Sequence, residues 1–176
     1  MLPDAGLAIA EEAVYLRKLN RNSDWDKDNV LESVSKIMEL GTESDATISL
    51  YRASSNREIC LTLAVLNGGR TSDVQEMSFL YITESELRSA GLIPHQEDDN
   101  ISCMHGRSLH YNLKIGRGSA EQLLTGIAKS GRCVLRISRK QAQSIKEHLL
   151  SMFCRAFKPY RQSPEGHCSE CNLNYS

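Results

Sequence analysis

Apolar residues along this chain follow two periods, one helical and one alternating, and the switches between them mark out the elements. Leu7, Ile9, Ala10, Ala13, Val14, Leu16 and Leu19 recur at helical spacing behind Pro3 and Asp4. Arg17, Lys18 and Arg21 follow in the last turn, where cations suit the helix dipole. A helix is therefore predicted across residues 1–22. Asp24, Asp26 and Asp28 open a second helix, with Val30, Leu31, Val34, Ile37 and Met38 on one face and Gly41 as its stop. The period then alternates. Residues 46–53 (ATISLYRA) and 58–66 (EICLTLAVL) predict two strands joined as a hairpin around Ser54, Ser55 and Asn56, and 77–82 (MSFLYI) predicts a third.

Thr83 and Glu86 form a capping box, in which side chains satisfy the orphan N–H groups of a helix start; the short helix that follows should end near Gly91. Residues 108–115 (SLHYNLKI) alternate again. Gly116-Arg117-Gly118 reads as a turn, and Ser119 as the cap of a helix running to Lys129. The segment 132–161 then joins a short strand to a long helix. Cys133, Leu135 and Ile137 alternate, Ser138 and Gln141 form a second capping box, and Ala142, Ile145, Leu149, Met152, Phe153, Ala156 and Phe157 make one apolar stripe. Arg139, Lys140, Lys146, Arg155 and Lys158 lie mostly off that stripe. The strand-and-cap pattern at 79–86 returns at 134–141, a likeness that shared strand-to-helix grammar explains more simply than duplication. The fold class expected is α+β: two N-terminal helices packed on a mainly antiparallel sheet, with a capped C-terminal amphipathic helix.

With 176 residues, 40% apolar and 24% charged, the chain has the composition of a globular domain rather than a disordered one. No apolar run approaches the roughly 20 residues that span a bilayer. The N-terminus shows neither a basic n-region nor a long apolar core, so a reducing, cytoplasmic setting is expected. The net charge of −1 conceals a polarised chain: residues 1–100 carry 9 Lys/Arg against 18 Asp/Glu, and residues 101–176 carry 12 against 4. An acidic half (1–100), a basic half (101–161) and an irregular tail (162–176) follow, the first two as parts of one compact domain. Such a split points to a polyanion site or to pairing between copies, unless the halves neutralise each other inside the fold.

Candidate chemistry is sparse. His167-Cys168-Ser-Glu-Cys171 places an imidazole beside a C-x-x-C, and Cys154, or Cys103 with His105, could complete a tetrahedral zinc site. A reduced, irregular tail is the simpler account of the same residues. His95-Gln96-Glu97 with this C-x-x-C imitates a zinc deaminase signature, but the His-x-Glu lies in a loop and no proline directly precedes Cys168. Cys103 with His105 and Ser108 with His110 lack a placed third group for nucleophilic catalysis. Gly116-Arg117-Gly118-Ser119 lacks the lysine of a phosphate-binding loop. No catalytic signature emerges, so the balance leans away from an enzyme; an enzyme reading would need a pocket that the sequence does not mark. The leading expectation is a small accessory protein whose basic half binds RNA or DNA backbone through Arg117, Arg132, Arg136, Arg139, Lys140 and Lys146, with Tyr111 and Tyr160 available for stacking. The alternative is a protein-interaction module or homo-oligomer that pairs acidic with basic surfaces.

Overall fold

The structure, a computed structural model, describes residues 4–7, 12–40, 45–66, 75–96, 109–132 and 134–152. Among the described residues five strands alternate with five α-helices: β1 (Val14–Leu19), α1 (Val30–Ile37), β2 (Asp45–Ala53), α2 (Asn56–Leu66), β3 (Met77–Thr83), α3 (Glu84–Ser89), β4 (His110–Gly116), α4 (Arg117–Lys129), β5 (Leu135–Ile137) and α5 (Arg139–Met152). The strands form one sheet in the order β4-β2-β1-β3-β5, and every neighbouring pair is antiparallel. The α+β class and its antiparallel sheet are as the alternating segments predict. Strands from the basic half, β4 and β5, form the two edges around three strands from the acidic half, so the charge halves interleave in one sheet.

Helices cover both faces. On one face α1, α3 and α4 bury Val34, Ile37, Leu87, Leu123, Leu124 and Ile127 against Ile48, Leu50, Leu80, Ile82, Leu113 and Ile115. On the other, α2 and α5 bury Ile59, Cys60, Leu63, Ala142 and Ile145 against Val14, Leu16, Met77, Phe79, Leu135 and Ile137. This three-layer arrangement explains the two departures from the helix and strand expectations. Val14–Leu19 is the central strand, not part of a helix. Helices pack on both of its faces, so five of its six residues are buried and no alternation remains to be read. Residues 56–66 form a helix rather than the second strand of a hairpin. Ile59, Cys60, Leu61, Thr62 and Leu63 are all buried in succession, a run whose period is ambiguous. Its start carried a legible signal: Ser55 Oγ accepts the Glu58 N–H at 3.3 Å, while the Glu58 carboxylate accepts from Ser54 N at 2.5 Å.

Elsewhere local chemistry and structure agree. At the start of α3 Thr83 Oγ1 accepts the Glu86 N–H at 3.2 Å and Glu86 Oε2 accepts the Thr83 N–H at 2.8 Å. The helix stops where Gly91 adopts a left-handed φ of 68°, and Leu92 N donates back to Leu87 O at 2.9 Å. No turn separates β4 from α4. Gly116 is both the last strand residue and the N-cap, so Ser119 lies in the first helical turn instead of capping it. Gly41, the expected stop of α1, lies outside the described residues; that helix is closed at Met38, whose N–H donates to Val34 O. Among the described residues no helix is long and apolar enough to cross a membrane.

Candidate polyanion interface

The junction of β5 with α5 is fixed by its cap. Gln141 Oε1 accepts from Ser138 N at 3.1 Å and from Ser138 Oγ at 2.8 Å, and Ser138 Oγ accepts the Gln141 N–H at 3.3 Å. Leu135 and Ile137 point into the core, so the two-residue period turns Arg136 outward, where it is exposed. Arg139 and Lys140, also exposed, occupy the first turn of α5, which contains no acidic residue. The N-terminal end of a helix dipole is positive and favours carboxylates. Two cations there add to the helix's own field instead of offsetting it. Arg136, Arg139 and Lys140 thus gather around the corner where β5 meets α5, Arg136 on the sheet face opposite that helix and the other two at its start.

The other three residues expected to hold phosphate lie elsewhere. Arg132 sits at the opposite end of the sheet, turned inward: Nη1 donates to Tyr81 O at 2.8 Å and to Glu86 Oε2 at 2.7 Å, and the guanidinium lies 4.5 Å from the centre of the Tyr81 ring. Its side chain is only 11% exposed. This pair joins a basic-half cation to an acidic-half carboxylate inside the fold. Lys146 was expected off the apolar stripe of α5; it is instead buried, at 6% exposure, and burial pushes its pKa down. Arg117 is exposed, and its Nη2 donates to Leu40 O at 3.3 Å. It follows β4, however, and four strand steps of about 4.8 Å separate that edge from β5.

The residues expected for zinc, Cys154, His167, Cys168 and Cys171, lie outside the described residues, as do Cys103 and His105. Among the described residues no three His, Cys, Asp or Glu side chains converge as a metal site. Cys60 is fully buried, and burial pushes its thiol up to about 11, far from the thiolate that metal binding or nucleophilic attack requires. His95 pairs through its backbone with Asn112, exchanging two bonds of 2.8 Å at the outer edge of β4.

Two polar clusters were not anticipated. Arg17, on the central strand, donates from Nε to Ile37 O at 2.9 Å and from Nη1 to Ser49 O at 3.3 Å, and its Nη2 meets Glu39 Oε1 at 2.5 Å. At the other end of the sheet Arg52 grips Glu84 Oε1 through Nε and Nη2, both at 3.0 Å, beside an edge-on Tyr15–Tyr111 pair at 5.5 Å. An Arg-Lys pair inside the otherwise apolar run Val14–Leu19 is the visible trace of the first cluster. The second draws its residues from four separate elements and leaves no local trace. Compared with known proteins, the chain matches no family model, no curated protein sequence and no solved structure.

Proposed function

We propose that the protein binds the phosphate backbone of RNA or DNA through the cationic corner made by Arg136, Arg139 and Lys140. The reading rests on one observation: three exposed cations fall within five residues at a capped helix start that holds no carboxylate. Backbone binding needs clustered positive charge and no base-reading motif, which suits a corner of this kind. Arg117 is a separate exposed cation on the far edge, whereas Arg132 and Lys146 are turned into the fold and take no part.

The test is titration of labelled single- and double-stranded RNA and DNA with the full chain across a salt series. Affinity is expected to fall log-linearly with salt. Replacing Arg136, Arg139 and Lys140 by Gln should weaken binding and reduce the log–log slope by about 2–3, at about 0.7–0.9 for each phosphate no longer neutralised. Arg117→Gln alone should change the slope by less than one such increment. Unchanged affinity and slope in the triple variant would refute the assignment. Absence of binding at low salt, with salt-sensitive self-association in light scattering, would transfer the charge split to pairing between copies.

A further inference from the structure

A cleft of about 350 Å³ opens at the end of the sheet opposite the cationic corner. Leu87 of α3 and the segment Gly91 to Pro94 form its apolar side, and Tyr15, Glu84 and Arg88 supply its polar atoms. Its wall is pinned at both ends: Leu92 N donates to Leu87 O, and His95 exchanges two backbone bonds with Asn112. Ile93 and Pro94 therefore span a fixed gap as a strap. Ile93 is 70% exposed on this strap. A large aliphatic side chain held open to water over a preformed cavity is a feature that ligand burial would relieve.

The charges around the cleft balance in number, Arg52 and Arg88 against Glu84 and Glu12, but they are not all joined in contact pairs. Glu84 is already held by two nitrogens of Arg52. Glu12, the nearby carboxylate, accepts instead from Ser85 N at 3.0 Å and Ser85 Oγ at 2.8 Å, and it feels Arg88 only through space. Arg88 lies one helical turn beyond Glu84 on the same side of α3 and is exposed. Burial, the main influence on Tyr15, raises its pKa, so the phenol stays protonated and has an O–H to donate. The cleft thus offers the Arg88 guanidinium and the Tyr15 phenol beside an aliphatic wall, with the Glu84 carboxylate also lining it but paired with Arg52.

We propose that this cleft binds a small amphipathic carboxylate, with its anionic head on Arg88 and Tyr15 and its apolar body against Leu87, Leu92, Ile93 and Pro94. At about 30 Å³ per water-sized atom the cavity holds on the order of twelve non-hydrogen atoms, the size of an aryl-alkanoate. A ligand of that size in a partly open site binds with a dissociation constant of about 1 mM or tighter.

The experiment is titration of the full chain with 4-phenylbutyrate, followed by residue-resolved chemical shifts, alongside the neutral 4-phenylbutyramide. Saturable shifts confined to Tyr15, Leu87, Arg88, Leu92 and Ile93 are expected. Loss of the carboxylate charge in the amide, or of the cation in Arg88→Gln, should each weaken binding about tenfold. Shifts that are absent at ten times the expected constant, that fall elsewhere, or that are equal for acid and amide would overturn the proposal. The acid–amide comparison uses the unaltered protein, so it decides the ligand class even if Arg88→Gln disturbs the fold.

Discussion

Arg17→Met should be among the more damaging single changes in this protein. The Arg17 side chain is 9% exposed and reaches three elements at once: the last carbonyl of α1 at Ile37, the β2 carbonyl at Ser49, and the Glu39 carboxylate. Met preserves most of the aliphatic stem and its packing, so the perturbation isolates the guanidinium. The bond to Ile37 O, short and buried, is worth about 1.5–3 kcal/mol because its donor is charged and its acceptor would be left unsatisfied. The 3.3 Å bond to Ser49 O adds about 0.5 kcal/mol. Glu39 is 58% exposed, so the ion pair contributes no more than about 1 kcal/mol after solvent screening. The total is about 2–4 kcal/mol, which for a chain of this size lowers Tm by about 5–15 °C. Urea and thermal unfolding would measure it. Glu39→Gln is the control, because it removes only the exposed charge and should cost less than about 1 kcal/mol. If Arg17→Met costs no more than Glu39→Gln, the buried carbonyls do not depend on the guanidinium and the reasoning fails.

Two further predictions concern α2. Among the described residues Thr62 Oγ1 is buried with no hydrogen-bond partner, so Thr62→Val, which keeps the shape and removes the stranded hydroxyl, should be neutral or stabilising by about 1–2 kcal/mol; a loss above about 1 kcal/mol in urea unfolding would show the hydroxyl is satisfied. Cys60 deprotonates near 9.0 when unfolded but near about 11 in the fold, so between those values the unfolded chain binds fewer protons and stability must fall as pH rises. The thiol's share of that decline, on the order of 2 kcal/mol, should be missing in Cys60→Ala, and an equal slope in both proteins would remove the thiol as its source.

How far the sequence reaches depends on how local each determinant is. The capping boxes at Thr83/Glu86 and Ser138/Gln141 are complete within four residues, and both form as written. Strands β2, β3 and β4 were legible because alternation or a short apolar run between turn residues survives in them. The α1 stripe was legible for the same reason at helical period. Where the reading failed, at Val14–Leu19 and at Asn56–Leu66, the segments are buried on more than one side. A residue's period records which side meets water, and a segment enclosed by neighbours keeps no such record.

The same limit governs the charges. Arg136, Arg139 and Lys140 are adjacent in the chain, so their shared corner follows from sequence as soon as the strand and cap are recognised. Arg132 and Lys146 have the same side-chain chemistry, yet the structure turns one onto Tyr81 and Glu86 and buries the other. Helical spacing from Ala142 and to Leu149 does set Lys146 on the apolar stripe, but nothing within a few residues of Arg132 distinguishes it from an exposed cation. The cleft beside Tyr15 is the extreme case: strand register sets Tyr15 against Arg52, and Glu84 and Arg88 enter from a helix some seventy residues further on. Sequence alone therefore determined the caps, most of the elements and the class, each written in short-range chemistry. Only the tertiary structure decided which cations face water and where a cavity lies, because exposure and concavity are properties of packed neighbours.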